Sequence, residues 1–404
     1  MNTLTLNFYQ ILEVAPGADD ETLRRAYRQL ARKHHPDVSS DPRAHETMAR
    51  INEAFTTLVD SVKRMEYDAV LAGGGLQEAP APRKAAPQKP IVLSRKRVLK
   101  AHKTPVYSVA FAPDTNQLVS SAFDNEIIWW DEKTGEPARR TKLEAGTVST
   151  LLPFANDRLF AAGSAESQIS LYRLSGPKVD SWKTSQEEWV GSVAISPDGT
   201  AVASGSLLHA VTIHRTEDGS GVFRKSDHTE AVTAVAWSPD GKYIATGSAD
   251  ATVKLWHAAN GALLHTIRQI RSTVTSLAFS GDGRYLAVAG VDLSIRVFSL
   301  ADGLLVKMMF GHQKPIESMA FHPNGWLFAS GSRDGTVGLW NAAKGIGNIR
   351  IEASERPINC VAFSADGSRL AACGQDKTVR MWEVKAKEPK GENVAQATTA
   401  SAAA

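Results

Sequence analysis

The sequence predicts a multidomain chain, a small all-α head followed by a large all-β body. Three observations predict it. Apolar residues recur at helical spacing through residues 1–71. A strict internal period runs through residues 94–384, and each copy holds alternating, strand-like segments. Between the two, residues 72–93 read AGGGLQEAPAPRKAAPQKPIVL, a Gly-, Pro- and Ala-rich linker composition. Residues 385–404 have no apolar periodicity and are expected to form a disordered tail.

A length of 404 residues suits two domains. The formal net charge of +3 gives no electrostatic reason to expect nucleic acid. The two cysteines, Cys360 and Cys373, lie outside any zinc-type spacing and are too few for a disulfide framework, so they read as small buried hydrophobes. The first twenty or so residues lack a signal-peptide pattern, and no run of about 18 apolar residues suggests a membrane span. A soluble chain in a reducing, cytoplasmic compartment is the expectation.

In the head, Glu21–His34 fits a helix. Leu23, Ala26, Tyr27, Leu30, Ala31 and His34 fall on one arc, and Arg24, Arg25, Arg28 and Arg32 on the opposite one. Asp19, Asp20 and Glu21 supply a cap and negative charge where the helix dipole favours them. Pro36 ends the helix, because the residue before a proline avoids the α region. A second helix carries Ala44, Met48, Ile51, Phe55 and Leu58 on one face. The two apolar faces predict a helical hairpin with His35, Pro36 and Asp37 in the loop at its tip.

Four blocks in order, FYQILEV (8–14), AYRQLARKHHPD (26–37), INEAFTTL (51–58) and KRMEYD (63–68), resemble a J-domain, the activating module of DnaJ-type co-chaperones. The resemblance implies that His35, Pro36 and Asp37 dock on a DnaK-type chaperone and stimulate its ATPase. It assigns Arg24, Arg25, Arg28 and Lys33 to that partner's acidic surface. Gln29 departs from the pattern, a basic residue being common there. The chemistry suits these roles: Pro36 stiffens the loop, and a partner arginine can clamp the Asp37 carboxylate. His34, on the apolar arc, reads as a packed residue.

In the body, Trp130, Tyr172, His214, Trp256, Phe298, Trp340 and Trp382 are spaced 42 residues apart. Six residues before them stand Asp124, Glu166, Leu208, Asp250, Asp292, Asp334 and Asp376. The clearest copy, VTAVAWSPDGKYIATGSADATVKLW (232–256), has three alternating strands with a Pro-Asp-Gly turn and an Asp-anchored turn. This resembles the WD-repeat β-propeller family with seven blades. The family implies a buried hydrogen-bonded set in each blade, complete here in three: His102, Ser120, Asp124 and Trp130; His228, Thr246, Asp250 and Trp256; His312, Ser330, Asp334 and Trp340. The other four are eroded. Blade three has Gln186, Ser204, Leu208 and His214, so its network must be rebuilt or absent.

The last repeat ends near Trp382 without a fourth strand, so residues 94–101, SRKRVLKA, are expected to complete it and close the ring. The histidines and aspartates have structural roles in separate blades, and no phosphate-loop motif is present, GGG at 73–75 lacking its strand and helix. Catalysis, a metal and a cofactor are therefore not expected. There is no cysteine-rich zinc module and no Gly/Phe-rich stretch, both of which many DnaJ-type proteins have, which leaves general holding of unfolded chains an open question.

The reading that follows is a co-chaperone whose propeller selects protein clients for a DnaK-type ATPase. The runner-up is a scaffold whose J-domain serves to remodel a bound assembly; an enzyme comes third. In a propeller, the strand-opening residues and the residue before each turn Asp gather around one mouth of the ring. The large apolar ones there are Tyr107 and Phe123 in blade one and Trp189 and Leu207 in blade three, with small residues Thr147, Ser149 and Ala165 between them suggesting a groove. Glu317 and Arg333 stand across the ring. Aromatic anchors beside a groove suit a peptide; the alternative is that Trp189 and Leu207 turn inward to fill packing lost in blade three.

Overall fold

In a computed structural model that describes residues 8–15, 18–34, 44–59, 64, 91–143, 148–154, 158–165, 167–175, 178–185, 189–300, 303–342 and 347–386, the chain separates into two units, Met1–Gln88 and Lys89–Ala404.

The first unit holds α1 (Phe8–Ile11), α2 (Asp20–His34) and α3 (Ala44–Val59). Asp19 caps α2: its carboxylate accepts the Thr22 amide at 2.8 Å, and hydrogen bonds from Thr22 lower its pKa. Both α1 and α2 pack on α3. The apolar arc read from the sequence becomes the core, with Tyr9, Leu12, Leu23, Leu30, Ile51, Ala54 and Leu58 buried together. Each fully buried large side chain contributes roughly 1.5–3 kcal/mol. Tyr27 stacks on Phe55 with ring centroids 4.2 Å apart and donates its hydroxyl to Asn52 at 2.9 Å, which sets α2 against α3.

In the second unit the strands form seven four-stranded antiparallel sheets, each a blade with strands a to d. Blade four shows why the sequence folds this way: its strands are Val232–Trp237, Tyr243–Ser248, Val253–His257 and Leu263–Ile267. The a–b turn is Ser238-Pro-Asp-Gly, where Ser238 donates to Asp240 at 2.6 Å, Asp240 accepts the Lys242 amide at 3.1 Å, and Gly241 takes φ 70°. After the b–c turn aspartate, Ala251 is left-handed at φ 61°, as are Asn125, His209, Leu293, Gly335 and Lys377 at the same place in other blades. Strand b is buried along almost its whole length. It also approaches the next blade so closely that a Cβ at Gly247 would collide with Val274.

The a strands of successive blades contact one another around the body, and blade seven contacts blade one, so the seven blades form a closed β-propeller. The expected all-α head and all-β seven-bladed body are therefore both present.

The closing strand is Ile91–Lys100, paired antiparallel with Thr378–Ala386 from Ile91↔Ala386 to Lys100↔Thr378. It starts within the stretch whose composition read as linker, and its partner runs past residue 384. The physical reason is local: Ile91 and Leu93 reach the core cluster built around Trp382, together with Val384. Apolar residues at the rim lengthen the pairing beyond the repeat. At the other end Leu99 is buried with Trp130 and Met381, where blade seven meets blade one.

Candidate functional site

On α2 the side chains of Arg24, Arg25 and Arg28 are exposed, opposite the face that Leu23 and Leu30 bury. Arg25 lies 3.8 Å from Glu21 one turn earlier, and Arg28 donates to the Arg24 carbonyl at 3.1 Å. Both contacts are with solvent-facing groups of the same helix, and an exposed pair of this kind contributes at most about 1 kcal/mol. The basic face of Arg24, Arg25 and Arg28 thus points to solvent. His35, Pro36 and Asp37 lie outside the described residues, as does the side chain of Lys33.

The three complete hydrogen-bonded sets of the body share one plan. In blade four, Trp256 Nε1 donates to Thr246 Oγ1 at 2.8 Å, Thr246 lies 2.8 Å from His228 Nε2, and His228 Nδ1 lies 2.8 Å from Asp250. In blade six, Trp340 reaches Ser330 at 2.7 Å, Ser330 lies 2.6 Å from His312, and His312 lies 3.2 Å from Asp334. In blade one, Trp130, Ser120 and His102 repeat the chain at 2.8 Å per step, and His102 Nδ1 stands 3.5 Å from Asp124. Burial lowers the pKa of all three histidines, which keeps them neutral. Burial works to raise Asp250, but hydrogen bonds from Thr252, His228 and the Thr229 amide outweigh it and hold the carboxyl at about 2. Asp334 is likewise held at about 2 against burial, by Thr336 and the Gln313 amide. Each set pins a turn to a strand within its own blade, and the three do not converge on a common centre.

Two eroded blades are rebuilt in a way the sequence reading missed. In blade five Arg296 pairs with Asp292 at 2.7 Å, and in blade seven Arg380 pairs with Asp376, while Ser354 in the histidine's place donates to Asp376 at 3.0 Å. The available signal was an Arg four residues after the turn Asp in these two copies, DLSIR and DKTVR. Among the described residues, blade three shows no such replacement. His214 is buried with Nδ1 unpartnered, burial lowers its pKa, and Ser204 donates to the Thr212 carbonyl at 3.3 Å.

At one end of the blades the strand-opening and pre-turn positions come together. The pre-turn amide donates to the strand-opening carbonyl in Phe123→Pro105 at 3.1 Å, Leu207→Trp189 at 2.8 Å and Arg333→Pro315 at 3.0 Å, and the same bond recurs in blades four, five and seven. Phe123 and Trp189 are 58% and 60% exposed, Leu207 and Tyr107 44% and 38%. The Tyr107 and Phe123 rings lie 6.2 Å apart. Trp189 and Leu207 therefore do not fill the packing lost in blade three. Of the expected groove, Ser149 is exposed, while Thr147 and the side chain of Ala165 lie outside the described residues. Glu317 and Arg333 form an ion pair with each other within blade six. Val291, at the pre-turn position of blade five, and Leu208, next to Leu207, are exposed apolar residues as well. Leu208 occupies the turn-aspartate position, where no histidine is present to bind.

Comparison with known proteins settles the class of both parts. The family model for the DnaJ domain matches residues 7–68, and that for the WD domain, G-beta repeat, matches residues 93–131, 221–257, 261–299, 303–341 and 348–383. The chain joins a DnaJ domain to a WD-repeat β-propeller. The stretch the repeat model leaves unmatched includes blade two and most of blade three, two of the copies with eroded networks. Similar to part of this chain are the chaperone protein DnaJ of Methanothermobacter thermautotrophicus, 52% identical over 62 residues, and the curved DNA-binding protein of Pseudomonas putida strain GB-1, 45% identical over 74 residues. The matches span 15% and 18% of this chain and only 16% and 23% of those relatives. J-domain and WD-repeat modules are mainly regulatory or interaction modules.

Proposed function

We propose that this J-domain/WD-repeat protein is a cytoplasmic co-chaperone. Its J-domain stimulates ATP hydrolysis by a DnaK-type chaperone through His35, Pro36, Asp37 and the basic residues Arg24, Arg25, Arg28 and Lys33. Its propeller recruits specific protein clients at the mouth lined by Tyr107, Phe123, Trp189 and Leu207, with the Glu317–Arg333 pair setting polarity. The ATP is turned over by the partner, and this chain acts as its regulator.

The observation that carries the reading is the exposed Arg24–Arg25–Arg28 face on the capped helix of a DnaJ domain, with the helix's other face committed to the core. The relatives named chaperone protein DnaJ support it. The Pseudomonas relative is named for curved DNA, but the similarity to it covers only 74 residues, 18% of this chain and 23% of that protein, and a net charge of +3 offers no strong attraction for a polyanion. No nucleic-acid partner is proposed. Single-turnover ATP hydrolysis by a DnaK-type chaperone, with and without the full chain, tests the reading; an unchanged rate rejects it.

A scaffold reading has one observation in its favour. The outer strands of blades four and five and their flanks expose Leu263, Leu264, Leu304, Leu305, Met308 and Phe310, a second apolar surface distinct from the mouth residues. A platform holding more than one protein would use both surfaces. Capture from a native lysate by residues 89–404 separates the two: individual clients favour the adaptor, a fixed stoichiometric assembly the scaffold.

A further inference from the structure

Cys360 and Cys373 are direct register partners on strands a and b of blade seven (Ile358–Phe363 and Arg369–Gly374). Both are free thiols. They project from the same face, where Cys373 is buried in the cluster shared with blade one and Cys360 packs against it with Sγ 3.9 Å from the Val109 carbonyl. The corresponding facing pairs in other blades are Ser108 with Ser121, Ser192 with Gly205, Ala234 with Gly247, Ser276 with Ala289 and Ser318 with Gly331. A facing pair of thiols is thus peculiar to the blade that closes the ring.

Facing residues of an antiparallel pair have Cα atoms about 4.5–5.5 Å apart. A disulfide accepts about 4.4–6.8 Å, so a bond here needs side-chain rotation and no backbone movement. The two thiols are not equivalent. Cys360 is partly exposed, and the hydrogen bond from Cys373, foremost among the causes, lowers its pKa; burial raises that of Cys373. A thiol of lowered pKa, on a residue of intermediate exposure, beside a fully buried one is the arrangement of an attacking and a resolving cysteine.

The geometry points to an oxidisable dithiol site in blade seven, in which a hydroperoxide converts Cys360 and Cys373 to an intrachain cross-strand disulfide. The Cys360 thiolate attacks one peroxide oxygen and the O–O bond breaks, giving a sulfenic acid on Cys360 and, with hydrogen peroxide, one water. The Cys373 sulfur then attacks the sulfenic sulfur. The S–S bond forms, the S–O bond breaks, and the Cys373 proton leaves with the departing oxygen as a second water. Two thiols and one peroxide give one disulfide and two waters, with two electrons passing from sulfur to peroxide. A dithiol reductant reverses the bond. The site depends on blade geometry and is independent of the co-chaperone reading.

The full chain tests this cleanly, because these are its only two cysteines. After treatment with hydrogen peroxide, denaturation and alkylation, the expected product is a monomer lighter by about 2 Da with neither cysteine alkylated, restored by dithiothreitol. Cys373→Ala and Cys360→Ser place residues that other blades already use there (Ala289, Ser318), and unchanged thermal melts confirm their folding. Cys373→Ala should accumulate a Cys360 sulfenic acid trapped by dimedone, formed more slowly than the wild-type disulfide because the hydrogen bond that lowers the Cys360 pKa is gone. Cys360→Ser should slow loss of the Cys373 thiol by at least about tenfold. Two alkylatable thiols surviving in the treated wild type, stable oxygen adducts on Cys360 alone, a disulfide-linked dimer, or equally fast oxidation of Cys373 without Cys360 would each overturn the proposal.

Discussion

His228 and Asp250 meet across blade four with Nδ1 and Oδ2 2.8 Å apart, and the same histidine reaches Thr246, and through it Trp256, on its other side. The ionised Asp250 carboxylate can only accept, so His228 Nδ1–H donates to it; the neutral ring then leaves Nε2 to accept from the Thr246 hydroxyl, which itself accepts from Trp256. One relay therefore ties the incoming loop, strand b, the b–c turn and strand c.

The relay gives stability a defined pH dependence. Asp250 is held at about 2 against an ordinary 3.8, so its stabilisation is present above pH 3.8 and is lost as the pH falls through 2. A shift of that size corresponds to roughly 2 kcal/mol. Asp250→Asn should cost about that much at pH 7, and the deficit should shrink as the pH is lowered from 4 towards 2. Buried neutral His228 adds to the acid sensitivity of the wild type, because the unfolded chain takes up a proton there as the pH drops below about 6.5. Urea titrations of both proteins across this range check the sign; a deficit that grows on acidification would contradict it.

On the head, Arg24→Glu with Arg28→Glu should lower stimulation of a DnaK-type ATPase by at least about tenfold, some 1.4 kcal/mol of interaction, with little change in melting, since both side chains are exposed. His35→Gln should remove stimulation while leaving the helices folded. Circular dichroism and single-turnover hydrolysis, measured on the same samples, separate a docking defect from an unfolded head. Normal stimulation by either variant would sink the assigned role.

At the propeller mouth, Trp189→Ala and Phe123→Ala should each weaken client binding by roughly 2 kcal/mol. Because both rings are mostly exposed, the melting temperature should stay within a degree or two. Retained capture by the double variant would move the client site elsewhere, with the outer strands of blades four and five the next surface to alter.

Ring closure can be tested through one side chain. Leu99 on the closing strand is buried between blades seven and one, so Leu99→Ala should cost about 3 kcal/mol. Deleting residues 91–100 should be far worse, leaving Thr378–Ala386 as an unpaired edge prone to association. Deleting residues 75–88 removes none of the described strands and is the control. Equal melting temperatures for the two deletions would refute closure by this strand.

What the sequence by itself determined is whatever local chemistry dictates. The arc of Leu23, Tyr27 and Leu30 follows from helical geometry, the Asp19 cap from an orphan amide, and the Pro-Asp-Gly turns from backbone sterics, so a helical head and a repeated β unit could be read directly. The resemblance to WD repeats implied the three complete relays, and the period of 42 assigned their members, which keep fixed offsets within one blade. The tertiary structure decided what depends on register between distant segments. It set the start of the closing strand at Ile91, since only the pairing with Ala386 shows how far apolar contact extends. It showed Arg296 and Arg380 taking over at aspartates that lack a histidine, an exchange that depends on which side chain reaches the turn. It brought Cys360 opposite Cys373, and it left Trp189 and Leu207 facing outward, because whether an apolar residue is core or surface is settled by what packs against it and not by its own identity.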